Sequence, residues 1–287
     1  SFGPFLGFWT AFEAAQNLGI LSIPGGGMGS LERLQLLLNQ RANILCATPT
    51  YAIRLAETAL THNIDLEESP IRTIIVAGEP GGSIPQIRKR IENLWPNSKV
   101  YDHHGMTEVG PVTFQTKDGE DQLHVIEEAY LAEILCPDTQ QPVEDGETGE
   151  LILSTLGRTG SPLLRYRTGD LVRPKHQGDR LTLEGGILGR LDDMVIIRGV
   201  NLHPGAVDSV LQNLSHIAEY QVQINHATTL PEIGIQIEPC KEAPRTIAKQ
   251  AEEALRKHFL LRIPVEIVAE NTLPRFEHKA RRWQKIS

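Results

Sequence analysis

The sequence runs to 287 residues, long enough for two domains or for one large domain with a smaller appendage. Its formal net charge is −8, and outside the last nine residues it has no dense Lys/Arg cluster, which argues against nucleic-acid binding. Apolar residues make up 40%, yet no run approaches the roughly 18 needed for a membrane span, so a soluble chain is expected.

The opening stretch, SFGPFLGFWTAF, is apolar and aromatic but has no basic residues before it. It reads as the middle of a folded core rather than as a signal peptide. Residues 8–18 (FWTAFEAAQNL) and 31–40 (LERLQLLLNQ) carry apolar side chains at helical spacing. Short β-rich runs follow: ILSIP, ANILCATP, TIIVAGEP and SKVYDHHG. Strands alternating with helices over short connections predict a mostly parallel α/β sheet over residues 1–121. The bends at Pro24-Gly25-Gly26-Gly27 and at Gly78-Glu79-Pro80-Gly81-Gly82 fall at predicted carboxyl ends of strands, where ligands of open α/β sheets bind.

From 122 to 188 the texture changes. Runs such as LHVIEEAYLAEIL, GELILSTL and RLTLEGG are separated by turn clusters, which predicts a β-rich, barrel-like subdomain. A third texture occupies 189–287. MVIIRGV reads as a strand, AVDSVLQNL as a helix, AEYQVQINH and IGIQIEP as strands, TIAKQAEEALRKHFL as a long helix and VEIVAE as a final strand. The expected fold class is therefore α/β with a β-rich barrel-like subdomain, followed by a small α+β C-terminal domain. Gly189-Arg190-Leu191-Asp192-Asp193 is the expected junction. Cys46, Cys136 and Cys240 stand far apart with no CxxC pair, which fits a reducing cytoplasm rather than a disulfide scaffold or a zinc ribbon.

Five segments carry chemistry. Gly78-Glu79-Pro80 is a strand ending in a tight turn. Tyr101-Asp102-His103-His104-Gly105-Met106-Thr107-Glu108 sets a hydroxyl beside a carboxylate, a pairing suited to phosphate oxygen and a hard cation. Leu164-Arg165-Tyr166-Arg167-Thr168-Gly169-Asp170 holds a carboxylate in a turn, which suits a ribose diol. The fourth is Leu188–Gly199, around Arg190 and Asp192, and the fifth is Leu273–Arg282, around Lys279. Taken singly, these fit a plain glycine loop, a common tetrapeptide, a T-G-D turn and a solvated basic tail equally well.

In this order they resemble the adenylate-forming (AMP-binding) superfamily, and R-Y-R-T-G-D, L-G-R-x-D-D-M-x-I-I-R-G-V-N and the late K-A-x-R are most similar to phenylacetate–CoA ligases. The Gln122-Leu123-His124 stretch and the G-E-T-G-E-L turn at 146–151 match as well. The resemblance implies an AMP-forming acid–thiol ligase, in which an acid is adenylated by ATP and then passed to CoA sulfur. It implies roles residue by residue. Glu108 would hold Mg²⁺ and Thr107 the α-phosphate, while Gly78, Glu79, Pro80 and His104 would line the adenine. Asp170 would bind the ribose and Arg190 the ribose or phosphate. Asp192 would be the hinge of a mobile C-terminal domain, and Lys279 would neutralise charge during adenylation.

The departures are specific. His104 stands where the family commonly has Tyr, and His278 where a glycine commonly precedes the lysine. The Ser/Thr/Gly-rich phosphate loop ending in lysine has no counterpart here, because Pro24–Ser30 is glycine-rich without an adjacent lysine. The large domain is accordingly expected to be incomplete, with the chain starting inside it. Phe5, Phe8, Trp9 and Tyr51 fit either an aromatic-acid pocket or an aromatic core. Three readings stay open at this stage. One is a ligase for an aryl or arylacetic acid such as phenylacetate; another is an adenylating enzyme with a non-CoA acceptor. The third is a non-catalytic or partner-dependent fragment, with a homodimer or a separate N-terminal fragment as partner.

Overall fold

The computed structural model describes residues 6–116, 120–198, 200–225, 232–276 and 280–286. The chain divides into two compact units, and the boundary falls between Leu188 and Gly189.

The first unit begins with α1 (Leu6–Asn17), α2 (Ser30–Asn39), β1 (Ile44–Ala47), α3 (Pro49–Thr61), β2 (Thr73–Val76), α4 (Pro85–Leu94) and β3 (Lys99–Asp102). The three strands form a parallel sheet in the order β1-β2-β3, with Ile44 opposite Thr73 and Thr73 opposite Lys99. Parallel pairing needs long crossovers, and α3 and α4 supply them. α3 starts where it does because the Thr48 hydroxyl accepts the Tyr51 amide at 3.1 Å and Pro49 takes the first helical position, where no donor is required. Its Ala52, Leu55, Ala56 and Ala59 are fully or almost fully buried against the sheet. Trp95, wholly buried, locks the end of α4 to α3 by donating its indole N–H to the Ala52 carbonyl at 2.9 Å.

The expected strand at ILSIP does not form. Residues 20–25 have no regular structure, and Leu21 is 83% exposed. A strand needs a neighbour for its N–H and C=O groups, and no described strand lies beside this segment.

β4 (Gly105–Met106) and β5 (Gly110–Pro111) make a small antiparallel pair. The β-rich part then runs through β6 (Thr113–Phe114), β7 (Gln122–Val125), β8 (Tyr130–Leu135), β9 (Gly149–Thr155), β10 (Tyr166–Val172), β11 (Pro174–Gln177) and β12 (Arg180–Glu184). One antiparallel sheet has the order β11-β12-β7-β6, and β8, β9 and β10 pair in a second. Both contribute to one core, in which Leu123, Val125 and Leu183 from the first meet Ile134, Leu151, Leu153 and Val172 from the second. The barrel-like expectation is thus met by two sheets packed on a shared core, and among the described residues they do not close into a barrel.

The second unit holds β13 (Gly189–Arg190), β14 (Val195–Ile197), β15 (Val200–Leu202), α5 (Pro204–Gln212), β16 (Ile217–Asn225), β17 (Glu232–Pro239), α6 (Ile247–Phe259), β18 (Val265–Ile267) and β19 (Trp283–Ile286). Its four-stranded sheet has the order β18-β17-β16-β19. Ile247, Ala251 and Leu255, one helical turn apart on α6, are at most 1% exposed and pack on the sheet with Val207 and Leu211 of α5. MVIIRGV proves to be half of a hairpin, β14 with β15. The basic tail joins the sheet, because β19 pairs in parallel with β16, Val222 opposite Trp283, while the side chains of residues 284–286 stay exposed. Among the described residues no helix is long and apolar enough to cross a membrane.

Candidate functional site

The loops leaving β2 and β3 emerge side by side at the carboxyl edge of the parallel sheet, and the His103 amide donates to the Val76 carbonyl at 3.1 Å. The first loop, 78–83, is pressed against its surroundings. Gly78 has φ +94°, a left-handed conformation that favours glycine. A Cβ on Gly82 would lie 2.5 Å from side-chain atoms of Asp102 and Val76, so no other residue fits there without displacement. Glu79 turns back, and its carboxylate accepts the Thr50 amide at 2.8 Å, capping the positive end of α3. What the loop offers beside Pro80 is therefore largely backbone.

The loop is held by a residue the sequence did not single out. Asp102, 8% exposed, accepts the Ser83 amide at 2.7 Å and the Ser83 hydroxyl at 2.6 Å. Burial pushes its carboxyl up to about 6, with the two Ser83 bonds and His104 opposing that rise. Burial also lowers the neighbouring His103 imidazole below the usual histidine value. Nothing in the sequence marks Asp102 beyond its place at a strand end.

His104 follows. Its amide donates to the Thr113 hydroxyl at 2.9 Å, and its carbonyl accepts from Val112 and Thr113 at 2.9 and 3.1 Å. Beyond it the chain turns through β4, and Thr107 and Glu108 are exposed. Arg158 donates to the Glu108 carbonyl, tying this turn to the end of the β9 region. Magnesium generally takes one or two protein carboxylates and fills its shell with water and phosphate oxygen, so a single exposed carboxylate beside a hydroxyl fits it. No group of three or more potential metal ligands occurs among the described residues.

The expected T-G-D turn is instead a bulge inside β10. Arg167 faces Ile152 and Leu171 faces Glu150, so Thr168, Gly169 and Asp170 stand opposite Leu151 alone. Gly169 supplies φ +75°. The Thr168 hydroxyl donates to the Leu151 carbonyl at 2.8 Å and accepts the Asp170 amide at 3.0 Å. Glu150, 2% exposed, accepts from Arg167 Nε at 2.9 Å and from the Gly169 amide at 3.3 Å. The bulge aims Asp170, 5% exposed, at His104, and His104 Nε2 lies 3.0 Å from Asp170 Oδ2. Two segments far apart in the chain thus meet through a pair of side chains proposed from sequence.

In the second unit Arg190 and Asp192 bind each other, Nε to Oδ1 at 2.8 Å, and this pairing holds the Asp192 carboxyl below the usual carboxylate range. Lys279, His278 and Phe5 lie outside the described residues. Tyr51 belongs to the core: it is 7% exposed, donates to the Ser30 hydroxyl at 3.2 Å and carries the Arg33 guanidinium 4.8 Å above its ring. Arg33 also donates to the carbonyls of Gly25 and Met28 at 2.6 and 2.7 Å. The glycine-rich bend at 24–29 thereby turns these carbonyls towards a cation, the reverse of a phosphate cradle.

A family model described as AMP-binding enzyme matches residues 8–158, and one described as AMP-binding enzyme C-terminal domain matches residues 199–284. The chain is 31% identical to a phenylacetate–coenzyme A ligase of Thermus thermophilus over 87% of its own length and 57% of that protein's. It is 30% identical to one from Escherichia coli over 97% of its own length and 66% of that protein's. It therefore spans about three-fifths of the length of these curated relatives. Among solved structures, a 2-hydroxyisobutyryl-CoA ligase in complex with its acyl-AMP superposes with a TM-score of 0.92 at 28% identity, over 99% of this chain and 64% of that one. The protein belongs to the AMP-binding enzyme family, with the α/β large domain and separate C-terminal domain of the adenylate-forming CoA ligases.

Proposed function

We propose that this chain forms the nucleotide and acyl-transfer parts of an ATP-dependent acyl-CoA ligase that activates an aryl or arylacetic acid such as phenylacetate. The observation that carries this reading is the meeting of His104, at the head of the Gly105–Glu108 segment, with Asp170 of the β10 bulge. In the first half-reaction a carboxylate oxygen bonds to the α-phosphorus of ATP and the bond to pyrophosphate breaks. In the second, CoA sulfur bonds to the acyl carbon and AMP leaves. The protein's part is to bring anions together and to place charge where it develops.

In this reading Asp170 accepts the ribose hydroxyls, and the backbone of Gly78–Pro80 lines the base. Thr107 donates to the α-phosphate and Glu108 holds Mg²⁺, which supplies charge neutralisation when bound. Arg190, at the junction, contacts ribose or phosphate, and Lys279 offsets charge during adenylation. Asp192 serves as the hinge on which the C-terminal domain, 189–287, moves between half-reactions. The well-separated cysteines support a reducing, cytoplasmic setting.

The choice of acid rests on the curated relatives, the first four of which are phenylacetate–CoA ligases at 28–31% identity. The 2-hydroxyisobutyryl-CoA ligase is similar at 28%, so a branched aliphatic acid is the second reading. The test supplies preformed acyl-adenylates and CoA to the purified chain and follows thioester by mass spectrometry. Phenylacetyl-CoA from phenylacetyl-adenylate supports the proposal. Faster turnover of 2-hydroxyisobutyryl-adenylate favours the second acid. Binding of acyl-adenylate without thioester overturns CoA as the acceptor.

A further inference from the structure

The His104 imidazole sits against a buried carboxylate, a contact that a hydrocarbon ring could not supply. Its Nε2 lies 3.0 Å from Asp170 Oδ2, with the two side chains 13% and 7% exposed. Its other ring nitrogen, Nδ1, is buried without a hydrogen-bond partner among the described residues. A carboxylate only accepts, so Nε2 is the protonated nitrogen that donates to it. Both partners are fixed at their roots: His104 by three backbone hydrogen bonds involving Val112 and Thr113, Asp170 by the Thr168 hydroxyl within the bulge. The bond is therefore set before any ligand arrives, at the carboxylate on which ribose recognition depends.

We propose that His104 is the positioning residue for ribose recognition: by gripping Oδ2 it fixes the plane of the Asp170 carboxylate, so the preference of the site for a ribose diol depends on His104. This rests on the nucleotide reading given above. Carboxylate–diol recognition is directional, and a carboxylate free to rotate about its terminal torsion loses bidentate alignment. A charge-assisted donor at 3.0 Å in a site shielded from water holds that torsion.

The test compares AMP with 2′,3′-dideoxy-AMP by calorimetric titration of the chain and its variants. The wild type is expected to favour AMP. His104→Phe keeps ring area but donates nothing, and His104→Asn is too short to reach; each should cut the AMP-to-dideoxy preference by about tenfold. His104→Gln, which extends an N–H donor, should retain most of it. In an Asp170→Asn background, His104→Phe should change the ratio no further. An unchanged ratio in the Phe and Asn variants, or effects that add to those of Asp170→Asn, would overturn the assignment while leaving the nucleotide reading intact. Failure of the folded wild type to bind AMP overturns the nucleotide reading, and this assignment with it.

Discussion

The Asp102 carboxylate accepts both the backbone amide and the hydroxyl of Ser83, at 2.7 and 2.6 Å, and so binds the end of β3 to the loop that follows β2. Burial raises this carboxyl from an ordinary 3.8 to about 6. Its favourable contribution is fully present below pH 4 and is lost as pH rises through 6, where the folded protein must ionise a buried acid. Asp102→Asn keeps an acceptor and cannot ionise. Urea unfolding between pH 4 and pH 8 should show the wild type losing about 2 kcal/mol relative to Asp102→Asn. Parallel pH profiles would sink this account of Asp102.

Close packing around the same residue makes Gly82 a second test. A methyl group there would meet Asp102 and Val76 at 2.5 Å, in a region where Val76 is fully buried. Gly82→Ala should destabilise by about 1–3 kcal/mol, the usual cost of overpacking a tight core. Gly157→Ala, with nothing within 4 Å, should be nearly neutral and serves as the control. Equal unfolding midpoints for the two variants would contradict the packing argument.

Glu150 holds the β10 bulge from inside. Glu150→Gln replaces a double acceptor by a group that presents N–H to Arg167 or to the Gly169 amide, so a buried donor loses its partner. The expected loss is about 1–3 kcal/mol of stability, together with weaker AMP binding because Asp170 sits on that bulge. Arg167→Ala should cost at least as much, because it leaves the buried Glu150 carboxylate charged, with the Gly169 amide as its remaining donor among the described residues. Thermal melts with and without AMP measure both effects. A clearly smaller loss for Arg167→Ala would show that the bulge is held by the Gly169 contact rather than by the ion pair.

The sequence was informative where periodicity or a motif carried the signal. The alternation of β1 to β3 with helices and the length of α6 were readable, because apolar spacing is a local property. What escaped was non-local. Asp102 and Glu150 look like ordinary strand acids, and only tertiary contact shows one gripping Ser83 and the other gripping a bulge. The ILSIP run has strand composition but no strand to pair with among the described residues. The 283–286 segment looks like a polar tail, yet it joins a sheet because β16 presents an open edge to it. The T-G-D segment at Asp170 has turn composition, but a bulge and a turn use the same residues, and pairing across the strand decides between them.

That terminal strand supports the last prediction. Arg282, 15% exposed, donates to both oxygens of Glu219 at 2.6 and 3.2 Å, and its guanidinium lies 5.1 Å from the centre of the Tyr220 ring. Tyr220 in turn donates its hydroxyl to Asp208 of α5 at 2.9 Å, and burial keeps that hydroxyl protonated well above its ordinary range. The Arg282 carbonyl accepts the Val222 amide at 2.7 Å, which starts the β16–β19 pairing. Removing the cation strands a carboxylate that is 8% exposed, so Arg282→Ala should cost about 3–5 kcal/mol. The double variant Arg282→Met with Glu219→Gln should cost clearly less than the sum of its single changes, because neither partner is then left charged and alone. Hydrogen exchange separates this from general unfolding. In Arg282→Ala the amides of β16 that face β19, Val222 first, should lose protection at denaturant concentrations where those on the β17 side keep theirs. Uniform loss across the sheet would mean that Arg282 supports the whole unit rather than the attachment of its final strand.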